Sequence, residues 1–113
     1  MIPCFEQPVV YFLQAGCDGP VKIGWTTNLP GRVATIQTNH YEKIHLRAVI
    51  EDATSETESA VHFEARDASI RGEWFWPSRT VKRLMEVHAW PRQTDATHPP
   101  YTDKELRKMA DWF

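Results

Sequence analysis

Apolar and polar positions divide this chain into short elements. Residues 9–13 (VVYFL) are β-branched and aromatic and read as a buried strand. Residues 15–20 hold two glycines, an aspartate and a proline, a turn signature. Residues 21–26 (VKIGWT) then read as a second strand that completes a hairpin. Gly24 inside that strand implies a bulge or the close approach of another chain or ligand. Thr27 or Asn28 caps a helix with Pro30 in its first turn and Leu29, Val33 and Ile36 on one face. Residues 43–51 alternate: Ile44, Leu46, Ala48 and Ile50 point one way, and His45, Arg47 and Val49 the other, as in a strand. A second helix starts near Thr54 or Ser55 and runs to about Asp67. Gly72 closes the next stretch, and a compact aromatic segment (EWFW, 73–76) follows, ended by Pro77. Ser78 caps a third helix with Val81, Leu84, Met85 and His88 on one face.

The order is β-β-α-β-α-α, an α+β domain in which helices cover a small sheet. The 113 residues suffice for one core. The predicted division is a domain over 6–90, a proline-rich linker over 91–100 and a C-terminal tail helix over 101–113. That tail helix carries a Thr102/Glu105 capping box and a face of Leu106, Met109, Ala110 and Phe113.

Composition is that of an ordinary globular protein, 42% hydrophobic and 25% charged, with five tryptophans. A net charge of −2 argues against a non-specific nucleic-acid coat. The charge is nevertheless uneven. Residues 66–92 hold six basic and three acidic side chains, whereas Glu51, Asp52, Glu56 and Glu58 concentrate just before them. Cys4 and Cys17 form no CxxC pair, which disfavours a zinc cage; free thiols are preferred over a disulfide. No apolar run of about 18 residues occurs, so no membrane association and a cytoplasmic location are expected.

Taken singly, the polar residues have ordinary explanations. Tyr11 in an apolar strand reads as core, Arg32 as helix surface, and Glu58 as the acid of an S-x-x-E capping box opened by Ser55. His62, four residues after Glu58, shares its helical face. Order and register change this reading. Tyr11 closes a VVY tripeptide, Lys22 opens a KIG tripeptide eleven residues later, and Arg32 follows ten residues beyond. Glu58 and His62 come next, then Arg71-Gly72-Glu73-Trp74-Phe75. This arrangement, over about residues 8–88, resembles the GIY-YIG nuclease superfamily, and within it the short stand-alone branch of phage and bacterial proteins.

The resemblance implies a three-stranded antiparallel sheet flanked by helices, and hydrolysis of a DNA phosphodiester bond with one divalent metal, Mg²⁺ or Mn²⁺. Tyr11 would be the general base, which requires nearby positive charge to bring its hydroxyl down from an ordinary value of about 10. Lys22, where the superfamily often has a second tyrosine, would supply that charge. Arg32 would clamp the scissile phosphate, and Glu58 would hold the metal. Ile36 occupies a position where the superfamily often has a histidine or tyrosine. His40, His45 or His62 would then handle protons, His62 first because it shares Glu58's helical face. Lys22, Arg32, Arg66 and Arg71 are the expected DNA contacts. Glu73 is a metal-site acid or an anchor for the aromatic segment, the latter preferred.

Two other readings remain open. The departures at Val9, Lys22 and Ile36 suit a catalytically weak nucleic-acid-binding module on the same fold. Trp74, Phe75, Trp76 and Trp90 suit a protein-interaction surface if they are exposed; Trp74 and Phe75 are expected inside. The tail helix can pack on its own domain or pair with a second copy as a homodimer.

Overall fold

The computed structural model describes residues 2–91. The predicted linker beyond Pro91 and the tail helix lie outside them. Strands β1 (Val9–Ala15) and β2 (Val21–Thr26) form the hairpin. Helix α1 (Leu29–Thr38), strand β3 (Ile44–Ile50) and helix α2 (Ser55–Glu64) follow, and a 3₁₀ turn (Arg66–Ala68) leads on. Strands β4 (Ser69–Arg71) and β5 (Trp74–Phe75) and helix α3 (Arg79–Val87) complete the domain. The sheet is antiparallel with order β3-β1-β2-β5-β4.

The sheet therefore has five strands where three were expected. β4 and β5 are three and two residues long, too short to show a period, and they exist because the aromatic segment hydrogen-bonds along the outer edge of β2. Gly72 at φ +56 makes the turn between them.

Each face of the sheet has its own core. On one, Val9, Tyr11 and Leu13 pack with Leu29 and Ile36 of α1. On the other, Val10, Phe12, Ile23 and Phe75 meet Val61 of α2, Ala65 just after it and Val81 of α3. Side chains such as Phe12 and Val81, fully out of water, each stabilise the fold by about 1.5–3 kcal/mol. β3 departs from the simple alternation. A register shift against β1 between Phe12 and Leu13 leaves Arg47 as an extra residue, since Phe12 pairs with Ala48 and Leu13 with Leu46. Ile44 and Leu46 therefore join the Tyr11 face, and Ala48 and Ile50 the opposite one. Arg47 turns to the buried Gln14, its Nε donating to Oε1 at 3.0 Å.

Local signals set the helix starts. Asn28 caps α1, accepting from the Gly31 amide. Ser78 caps α3, accepting from Val81. α2 is capped by Thr54, and its capping box is completed by Thr57 rather than by Ser55 and Glu58.

Candidate active site

β1 lies inside the sheet between β3 and β2, and Tyr11 is 1% exposed. Its cross-strand partner on β2 is Gly24. The tyrosine ring lies over that glycine: a Cβ there would stand 2.5 Å from Tyr11 Cζ and closer still to the hydroxyl. Gly24 thus marks a close approach rather than a bulge, and the missing side chain is what lets the phenol cross β2.

Beyond Gly24 the sheet has a notch. β5 pairs only with Val21 and Lys22, so the outer edge of β2 loses its strand partner after Lys22. The next residue, Ile23, is satisfied by other means. Its amide donates to the Glu73 carbonyl at 2.9 Å, and its carbonyl accepts from His62 Nε2 at 2.8 Å. The β4–β5 turn and helix α2 therefore both close on the edge that the Tyr11 ring reaches.

Electrostatics show which charges surround the phenol. Burial, then the Glu73 carboxylate, raises the Tyr11 hydroxyl from 10.0 to about 12; the Arg32 guanidinium opposes this, and Glu58 adds to it. Arg32 from α1, Glu58 from α2 and Glu73 from the β4–β5 turn hence all act on one oxygen. Because Thr57 takes the capping position, the Glu58 carboxylate is released from helix capping. It is half-buried, whereas Arg32 is exposed.

The other candidates are used differently. Lys22 shares the Tyr11 face but holds its ammonium over the Trp74 ring at 5.4 Å, a cation–π contact. The expectation that Lys22 lowers the Tyr11 hydroxyl is not met: Arg32 is the opposing cation, and the net displacement is upward. His62 has Nε2 committed to Ile23 and its ring against Phe75 at 5.0 Å, so its position is that of a latch between α2 and the sheet edge. His40 rests on Trp74 at 5.2 Å with a buried, unpartnered Nδ1. Arg66 stacks on Phe63 at 4.1 Å and donates to the Phe63 carbonyl, away from the notch, and Arg71 is exposed on the outermost strand. Phe75 is buried and Trp74 half-buried. Trp76 is exposed, and Trp90 packs edge-on against Phe5. Cys4 and Cys17 are free and exposed.

Glu73, expected to anchor the aromatic segment, does so through its backbone carbonyl, and its carboxylate also acts on the Tyr11 hydroxyl. Its position depends on β5 pairing with β2, and a two-residue strand leaves no periodic trace.

Among the described residues, no three His, Cys, Asp or Glu side chains gather as a metal cage, and no helix is long and apolar enough to cross a membrane. A family model described as the T5orf172 domain matches residues 9–94. No curated protein and no solved structure matches the chain.

Proposed function

Because the chain belongs to the T5orf172 domain family, a nuclease-associated group, we propose that it is a GIY-YIG-type endonuclease that hydrolyses DNA phosphodiester bonds at the Tyr11 notch. The observation that carries the reading is the convergence of a buried phenol, a guanidinium and a carboxylate from three separate elements. Convergence of this kind is what phosphoryl chemistry requires and what surface charges rarely produce by accident.

Arg32 binds the phosphate. Its exposed guanidinium presents a planar fork to two phosphoryl oxygens and holds the phosphorus close to the Tyr11 hydroxyl. Tyr11 orients the attacking water through that hydroxyl, which Gly24 lets reach the sheet edge. With its hydroxyl at about 12, Tyr11 is protonated near neutrality. Forming the phenolate at about pH 8 costs about 5 kcal/mol. The residue therefore acts as a base only when added positive charge offsets the two carboxylates. The donor set suits such a charge: Glu58 offers hard carboxylate oxygen, and Mg²⁺ or Mn²⁺ takes one or two carboxylates and completes its shell with water and phosphate. When bound, the cation neutralises charge developing on the phosphoryl oxygens.

The chain's partner is then DNA, with Lys22 and Arg71 as outlying contacts to its backbone. The upward displacement of Tyr11 favours, as a second reading, a DNA-binding module that does not cut. Supercoiled plasmid incubated with protein and Mg²⁺ or Mn²⁺ separates the two. The proposal expects nicked and linear products that vanish with chelator and fall at least about 100-fold in Glu58→Gln and in Arg32→Ala. Intact plasmid in every buffer, with DNA binding retained, refutes cleavage and leaves the second reading.

A further inference from the structure

The outer edge of β2 is closed at Ile23 and open just beyond it. Both backbone groups of Ile23 face that edge, the amide donating to the Glu73 carbonyl at 2.9 Å and the carbonyl accepting from His62 Nε2 at 2.8 Å. Along a strand every second residue turns its backbone groups to the same edge, so the amide of Trp25 faces it too. β5 pairs only with Val21 and Lys22, so among the described residues no strand lies opposite Trp25. Gly24, between Ile23 and Trp25, is the residue that the Tyr11 ring crosses. The phenol therefore comes to the edge within one residue of the Trp25 amide. Helix α2 passes on the other face of the sheet. Just before that helix the Ala53 carbonyl accepts from the Trp25 indole at 2.9 Å, and near its end His62 holds Ile23. Glu58 falls between these two anchors.

We infer that the Trp25 backbone amide is a phosphate-binding donor of this site and holds a non-bridging oxygen of the phosphodiester that Arg32 clamps. The choice of DNA as ligand rests on the nuclease reading, but the binding does not require that DNA be cut. A main-chain N–H suits the role. Gly24 and Thr26 on either side of it are in register with Tyr11 and Val9 of β1, so its direction is set before any ligand arrives. Arg32, by contrast, is an exposed side chain that its ligand must order. A donor fixed in this way strengthens as negative charge builds on the phosphoryl oxygen and costs no reorganisation at that moment. The indole of Trp25 is spent on Ala53, so the side chain of this residue is structural and its backbone carries the site function.

The test is the amide resonance of Trp25 in the ¹⁵N-labelled full chain, titrated with a short DNA duplex in chelator so that nothing is cut. The Trp25 amide proton should move downfield, and its exchange with solvent should slow at least about tenfold. The Ile23 amide, already bonded to Glu73, should keep its position. A second measurement replaces Trp25 by its α-hydroxy acid, which exchanges the N–H for an ester oxygen and keeps the indole. Plasmid cleavage in Mg²⁺ should then fall at least about 100-fold, with the fold checked by far-ultraviolet circular dichroism. A Trp25 amide that DNA leaves unmoved, or an ester protein that cuts at the wild-type rate, overturns the inference. The two readings fail separately. A Trp25 amide shifted by DNA in a protein that never cuts sinks the nuclease and keeps the phosphate donor. Cleavage that survives the ester, with the Trp25 amide unmoved, does the reverse.

Discussion

The buried phenol makes a quantitative prediction that needs neither metal nor DNA. In the folded chain the Tyr11 hydroxyl stands at about 12, against 10.0 for an unperturbed tyrosine. Below about pH 10 the phenol is protonated in both states, and the stability contributed by its neutral form is fully present. As pH rises from 10 towards 12, the unfolded chain ionises while the folded one holds its proton, so that contribution is lost. Two pH units correspond to about 2.7 kcal/mol, and solvent screening of the carboxylates brings the expected loss to roughly 2 kcal/mol. Tyr11→Phe cannot ionise and should escape it. The assay is urea unfolding of wild type and Tyr11→Phe between about pH 8 and 11.5. The stability difference between them should shift by roughly 2 kcal/mol in the phenylalanine variant's favour across that range. Lysines and cysteines titrate there too but cancel in the comparison. Parallel loss of stability in the two proteins, or a single titration near pH 10 for all tyrosines, would refute the burial and the charges assigned to Tyr11.

Three further outcomes follow from the geometry. Gly24→Ala places a methyl against the Tyr11 ring and should cost about 1–3 kcal/mol in thermal or urea unfolding, with cleavage falling further than in a Gly16→Ala control matched for stability. Glu58→Gln should remain within about 1 kcal/mol of wild-type stability, because Thr54 and Thr57 make the α2 cap, whereas Thr54→Ala should lose about 1 kcal/mol; denaturation midpoints check both. His62→Ala should lose about 1–3 kcal/mol from the Ile23 hydrogen bond and the Phe75 contact, and any fall in cleavage should be partly recovered by His62→Gln. A His62→Ala protein of wild-type stability without activity would instead return His62 to proton handling.

Much of the fold is legible in the sequence because its signals are local. The β1 and β2 runs, the Asn28 and Ser78 caps and the faces of α1 and α3 depend on residues within a turn or two of each other. The order of Tyr11, Arg32 and Glu58 was legible too, as a register of motifs. Tertiary structure decided the rest, since each remaining feature depends on partners distant along the chain. β4 and β5 are strands only because β2 offers them an edge. The Arg47 bulge, which sends Ala48 and Ile50 to the far face, arises in pairing with β1 and leaves no mark on the alternation of β3 itself. The sequence allowed Glu58 to cap α2, and only the folded chain gives that role to Thr54 and Thr57 instead. Lys22 was read as the charge that tunes Tyr11, but once β5 docks, the Trp74 ring lies under its ammonium. Sequence by itself named the phenol, the guanidinium and one carboxylate. Only the folded chain, by burying that phenol and bringing Glu73 to the edge beside it, determined its protonation and the charge around it. Both depend on desolvation and distance through space, which no local pattern encodes.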